Sequence, residues 1–140
     1  MTNEYTVSDD KTRLDVSMIH QFLSQEAYWC LNIPREIVQR SIDNSVCFGV
    51  YKGDEQVGFA RVVTDLVTFG YLADVFILPE HRGQGLSKRL MEFIMAYPAL
   101  QGLRRIMLVT RDAHGLYEQF GFQPIDAPEN TMFIKAFTSY

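Results

Sequence analysis

Cysteine is scarce in this sequence, and its scarcity removes two classes of protein. Cys30 and Cys47 are the only two, too few for a disulfide framework, and they show no metal-ligand spacing, so no metal is expected. No apolar run approaches the roughly 20 residues that span a bilayer, so no membrane association is expected. The opening residues include Glu4, Asp9 and Asp10 and form no apolar stretch, which argues against a signal peptide and for a cytoplasmic location. A positive charge excess is also missing. With a net charge of −4, the bulk electrostatics do not favour a nucleic-acid partner. Internal repeats, low-complexity tracts and linkers are absent. Two phosphate-binding patterns are absent as well: there is no G-x-x-x-x-G-K-S/T, and the G-x-G-x-x-G pattern fails because position 88 is lysine.

What is present suits a folded domain. Hydrophobic residues make up 47% and charged residues 21% of 140 residues, enough for one domain, 1–140, with a substantial core. Residues 74–90 organise the chain. They read as a buried strand, a glycine loop and a helix. Pro79 stops the strand because it cannot donate to a ladder. Gly83 and Gly85 allow a sharp bend and close approach of a ligand to the backbone. Leu86, Leu90, Phe93, Ile94 and Tyr97 then recur at helical spacing, up to Pro98. Helix N-termini carry unpaired N–H groups and a favourable dipole, so this junction is suited to phosphate, with Arg82, Lys88 and Arg89 adding positive charge.

The remaining elements follow in order. A short strand is expected at 5–8. A first helix, capped by Asp15 or Ser17, should run to about Tyr28, Trp29 and Cys30, and a second should start at Pro34. Strands are expected at 46–51, 56–63, 103–109 and 132–137. Between the last two, Asp112 can cap a short helix that Gly121 ends in a left-handed conformation. His20 and His81 read as surface residues.

The glycine stretch resembles motif A of the GNAT family of N-acetyltransferases, usually Gln/Arg-x-x-Gly-x-Gly/Ala. A frame from Glu80 places both glycines but has glutamate first. A frame from Arg82 matches Arg82 and Gly85 but ends on Ser87. Both share Arg82-Gly83-Gln84-Gly85. Residues 113–122 resemble the family's motif B, Ala-x-x-Leu-Tyr-x-x-x-Gly-Phe, through Ala113, Leu116, Tyr117, Gly121 and Phe122, with Thr110 where the family often has Asn. The resemblance implies an α+β, three-layer acyl-CoA N-acyltransferase fold. Its central sheet would be mixed and mostly antiparallel, with six or seven strands, splayed between strands 4 and 5 and flanked by about four helices.

The resemblance also implies a reaction: acetyl transfer from acetyl-CoA to a primary amine of a small molecule, by direct attack in a ternary complex. The pantetheine arm would lie on the backbone of Val75, Phe76 and Ile77, and the pyrophosphate on Arg82, Gly83, Gln84, Gly85, Leu86, Ser87 and Lys88. A neutral amine, donors for the developing oxyanion and a proton for the departing thiolate are the chemical demands. Tyr117 matches the family's proton donor and would also touch the cofactor. A phenol with a pKa near 10 is protonated at neutral pH and can donate. Asp74, a carboxylate in an apolar strand, is the leading candidate to act as base or to orient the amine, or else pairs structurally with Arg61. His114 titrates in a useful range and ranks second. The family's acceptor side would bring in Tyr28 and Trp29, although aromatics at a helix end commonly serve the core. A peptide or protein acceptor would need an open groove, decided by loops 65–70 and 123–130. A non-catalytic acyl-CoA-binding module is the third reading. Family members are often homodimers, but no interface strand stands out in the sequence.

Overall fold

A computed structural model describes residues 4–140. The chain runs β1 (Tyr5–Ser8), α1 (Val16–Gln25), α2 (Arg35–Asp43), β2 (Val46–Lys52), β3 (Glu55–Thr64), β4 (Phe69–Ile77), α3 (Leu86–Met95), β5 (Arg105–Met107) and α4 (His114–Glu118). The five strands form one sheet in chain order. All neighbours are antiparallel except the last pair, β4 and β5, which is parallel. Among the described residues no helix is long and apolar enough to cross a membrane.

The sheet is the middle of three layers. On one face Phe48, Val50, Val62 and Leu72 pack with Leu86, Leu90, Met91 and Ile94 of α3 and with Tyr117 of α4. On the other face Cys47, Phe59 and Phe76 pack with Ile19, Phe22 and Leu23 of α1 and with Val38 and Ile42 of α2. Phe76 lies flat on Phe22, with ring centroids 4.0 Å apart, and tilted against Phe59. That stack ties α1 to the centre of the sheet.

Local chemistry sets the element ends. The Asp15 carboxylate accepts from the Met18 N–H at 3.1 Å and caps α1. The helix then stops at Gln25, short of the expected Tyr28–Cys30. The Ala27 N–H reaches back to the Phe22 carbonyl, Cys30 N–H bonds to the Ala27 carbonyl, and Asn32 takes a left-handed φ of 67°. α4 is not capped by Asp112. Its cap residue is Ala113, whose N–H donates to Thr110 Oγ1 at 3.0 Å. Gly121, with φ at 93°, follows α4 in the expected left-handed conformation.

Two strand expectations differ from the structure. β5 covers only Arg105–Met107 of the expected 103–109, and residues 132–137 form no strand, so among the described residues the sheet has five strands rather than six or seven. Before the second of these, Ala127 is left-handed (φ 49°) and Pro128–Asn130 form a 3-10 turn, after which Met132, Phe133 and Ile134 stand in solvent.

The Phe22–Phe76 stack yields a stability prediction. Phe22→Ala removes a 6%-exposed ring from the α1 face and should lower the unfolding free energy by about 3–5 kcal/mol in a denaturant melt. A loss below about 1 kcal/mol would show that α1 is held by other contacts.

Candidate active site

β4 has two unlike edges. β3 stays hydrogen-bonded along it as far as the Gly58–Ile77 pair. On the other side β5 pairs only with Phe69, Gly70 and Tyr71. From residue 72 onward that edge has no strand partner among the described residues, and the sheet opens there. Unpaired backbone groups need partners, so the opening is suited to a ligand rich in amides. The Phe76 and Ile77 side chains are buried in the two core layers, so these residues can offer a ligand only their backbone, while Val75 is half-buried.

The register of β3 and β4 also shifts at this point. Phe59 pairs with Phe76, but Arg61 pairs with Ala73, so one extra residue of β4 is accommodated opposite Ala60. Asp74 absorbs the distortion with a φ of 56°, a left-handed conformation that Asp tolerates better than most residues. The bulge aims its carboxylate at two donors. Arg61 Nε donates to Oδ2 at 2.7 Å and Trp29 Nε1 donates to Oδ1 at 2.9 Å. Arg61 Nη1 also donates to Ser45 Oγ at 3.1 Å. The Arg61–Asp74 pair expected as an alternative is therefore present.

Trp29 meets Tyr28 edge to face at 5.1 Å, and the Arg111 guanidinium lies 3.7 Å over the Tyr28 ring. Tyr28 and Trp29 are 47% and 46% exposed, so they are not core aromatics. Arg111 thus joins the loop after α1 to the segment before α4 by a cation–π contact. Sequence reasoning passed over Arg111, since a lone arginine in a loop carries no local signal.

Tyr117 is buried and packs edge to face on Phe122 at 5.9 Å. Burial pushes its phenol pKa up, and the nearby Asp112 and Tyr28 add to the shift. Its hydroxyl makes no hydrogen bond among the described residues. His114 opens α4, is exposed, and borders the cavity beyond β5 rather than the Asp74 side.

The glycine loop forms the third part. Gly83 and Gly85 have φ of 80° and 75°, the left-handed region in which glycine alone is unstrained. Gly85 is the N-cap of α3 and no side chain caps the helix, so the first N–H groups, from Leu86, Ser87 and Lys88, face outward. A cavity of about 180 Å³ lies there, lined by Ile77, His81, Arg82, Gly83, Gly85, Leu86 and Ser87. Arg82 Nε donates to the Ile77 carbonyl at 3.0 Å and pins the loop to β4, and Lys88 stands exposed beside it. Gln84 Nε2 donates to Tyr5 Oη at 3.1 Å, and the same oxygen lies 2.9 Å from His81 Nδ1. His81 and His20 are half-buried and hydrogen-bonded rather than free surface residues, His20 through the Ile33 carbonyl. The two thiols are inert. Burial pushes Cys30 up to about 12 and Cys47 up to about 11.

An opened parallel pair, a bulged β4 and an uncapped glycine-led helix together define an acyl-transfer fold, and comparison with known proteins supports this. The Acetyltransferase (GNAT) family matches residues 16–122. A Gibberella zeae protein carrying an acetyltransferase name is 37% identical, over 81% of this chain and 76% of its own. A crystal structure of a GNAT-family protein from Xanthomonas campestris pv. campestris is 51% identical, with a TM-score of 0.93 over 97% of this chain and 96% of that one. A Clostridium acetobutylicum protein crystallised with acetyl-CoA shares the fold at 16% identity and a TM-score of 0.68, over 94% of each chain. The chain belongs to the GNAT family of acetyltransferases.

The loop geometry yields the next prediction. A Cβ at Gly85 meets nothing within 4 Å, so Gly85→Ala introduces strain rather than a clash. Left-handed alanine costs about 1–2 kcal/mol. We expect a loss of that size in thermal or denaturant unfolding. An unchanged midpoint would show that the loop relaxes to negative φ.

Proposed function

We propose that the protein transfers the acetyl group of acetyl-CoA to the primary amine of a small molecule, by direct attack within a ternary complex. The observation that carries this reading is the open edge of β4 leading directly into the uncapped N-terminus of α3. The first is suited to the two amides of a pantetheine arm, and the second to a pyrophosphate.

The backbone of Val75, Phe76 and Ile77 would hold the arm. The amides from Gly83 to Lys88, with Arg82 and Lys88 as cations, would hold the phosphates. When bound, acetyl-CoA supplies the activated acyl carbon. A backbone N–H on the open edge of β4 would face the developing negative charge on the acyl oxygen. Tyr117 would deliver its proton to the leaving sulfur. Its environment suits an acid: burial holds the phenol protonated, and its hydroxyl is not committed elsewhere. Asp74 would orient the amine. Both its oxygens already accept hydrogen bonds, and Arg61 balances its charge, so an orienting role fits better than proton abstraction. Tyr28 and Trp29 would wall the acceptor side. The Arg111–Tyr28 contact narrows that side, which favours a small amine over a peptide chain.

The direct test is release of free thiol from acetyl-CoA with panels of small amines and of peptides. We expect turnover with a small amine. Turnover with peptides alone would overturn the acceptor class, and binding of acetyl-CoA without transfer to any amine would overturn the enzyme reading. With the working amine, Tyr117→Phe should lower kcat by about 100-fold or more with CoA affinity nearly unchanged. Unchanged turnover would remove Tyr117 from the reaction. The pH sign is also fixed. A raised phenol pKa keeps the acid in place below the ordinary value near 10, so activity should show no falling limb from Tyr117 until the pH passes that value. Asp74→Asn should lower kcat/KM without moving the pH profile, whereas a lost acidic limb would restore the base role.

A further inference from the structure

A line of contacts runs through the half-exposed aromatics. At one end Asp74 accepts from Arg61 Nε on one oxygen and from Trp29 Nε1 on the other. Trp29 meets Tyr28 edge to face, and at the other end the guanidinium of Arg111 lies over the Tyr28 ring. The two arginines are not equivalent. Arg61 uses Nε on Asp74 and Nη1 on Ser45, and the Arg61 and Asp74 side chains are only 19% and 11% exposed. Arg111 is exposed and, among the described residues, has neither a hydrogen bond nor an ion pair. Asp112, next in the chain, does not pair with it. A guanidinium lying on a ring uses its face for that contact and keeps the N–H donors of its edge for another partner. The stacking also holds it in place, so less side-chain freedom is lost when it binds.

We propose, on the acetyl-transfer reading above, that the acceptor amine also carries a carboxylate and that Arg111 receives this carboxylate. The planar fork of a guanidinium matches the two oxygens of such a group. The other anchor is Asp74. Each of its oxygens accepts one hydrogen bond, and a carboxylate offers about four lone-pair sites, so it can take more from an arriving ammonium. The positive end of the acceptor would go to Asp74 and the negative end to Arg111, with the carbon spacer along Tyr28 and Trp29. A plain ammonium ion has nothing to offer the Arg111 end and meets a like charge there. Arg111 would then set which acceptor binds, without touching the reacting atoms.

Calorimetric titration of the CoA-bound protein, beside thiol release from acetyl-CoA, tests the proposal with matched pairs of probes. The pairs are 4-(aminomethyl)benzoate with its benzamide, 6-aminohexanoate with 6-aminohexanamide, and phenylalanine with phenylalaninamide. We expect at least one acid to exceed its amide by about 10-fold or more, in affinity and in kcat/KM. Arg111→Gln should bring that acid down to its amide. Arg111→Lys, which keeps the charge but loses the stacked fork, should fall between. Disorder of the loop alone would lower both members of a pair alike, so the ratio is the readout.

Equal binding within every pair, or no binding of any acid, overturns the proposal. Turnover of the amides would in that case leave acetyl transfer standing. An acid preference that survives Arg111→Gln belongs to another cation and also overturns it. Should no amine be acetylated, the acetyl-transfer reading fails and the titration alone decides: an acid preference lost in Arg111→Gln upholds the role of Arg111, and the absence of one overturns it.

Discussion

The constraint on which the site depends is the early end of pairing between β4 and β5. Three residue pairs hold the two strands together, and then they part. β4 continues to Ile77, held on its other edge by β3 and on both faces by core side chains. A strand in that position can keep its shape with one edge empty, because packing and the β3 ladder fix it. The bulge opposite Ala60 belongs to the same device. It shifts β4 by one residue, raises its local twist and aims Asp74 sideways at Trp29 and Arg61. Removing the opening would pair the β4 edge along its length and leave no backbone to offer a ligand.

Asp74 and Tyr117 show how environment sorts titratable groups. Asp74 sits against a guanidinium and an indole N–H, and its charge is spent holding Arg61 and Trp29 in place. Tyr117 sits against Phe122 in the core, where burial penalises the phenolate and preserves the proton. One group is suited to positioning and the other to donation. The Arg111–Tyr28 contact links the loop after α1 to the segment before α4.

The parts legible in the sequence were those with short-range causes. Gly83 and Gly85 were readable because only glycine fits left-handed positions without strain, and the helix after them because its apolar spacing is periodic. Asp74 stood out as a carboxylate in an apolar strand, but its meaning did not. Its left-handed φ comes from a register shift against β3, a long-range effect with no local sign. The apolar run at 132–137 read as a strand from composition, yet a strand forms only against an edge, and the segment follows a 3-10 turn into solvent. The caps divided in the same way. Asp15 acts three residues from its partner and was found, whereas α4 starts at Ala113, whose N–H bonds to Thr110 rather than to a carboxylate cap from Asp112.

The central claim is that the open β4 edge and the N-terminus of α3 form one continuous cofactor track. Amide hydrogen exchange with and without saturating CoA measures it most directly. The account predicts slowed exchange at 74–77 and at 83–88 together, with β1, β2 and the 65–69 loop unchanged. Protection at 83–88 alone, equally produced by ATP, would contradict it by reducing the site to a phosphate cradle with no role for the opening in the sheet.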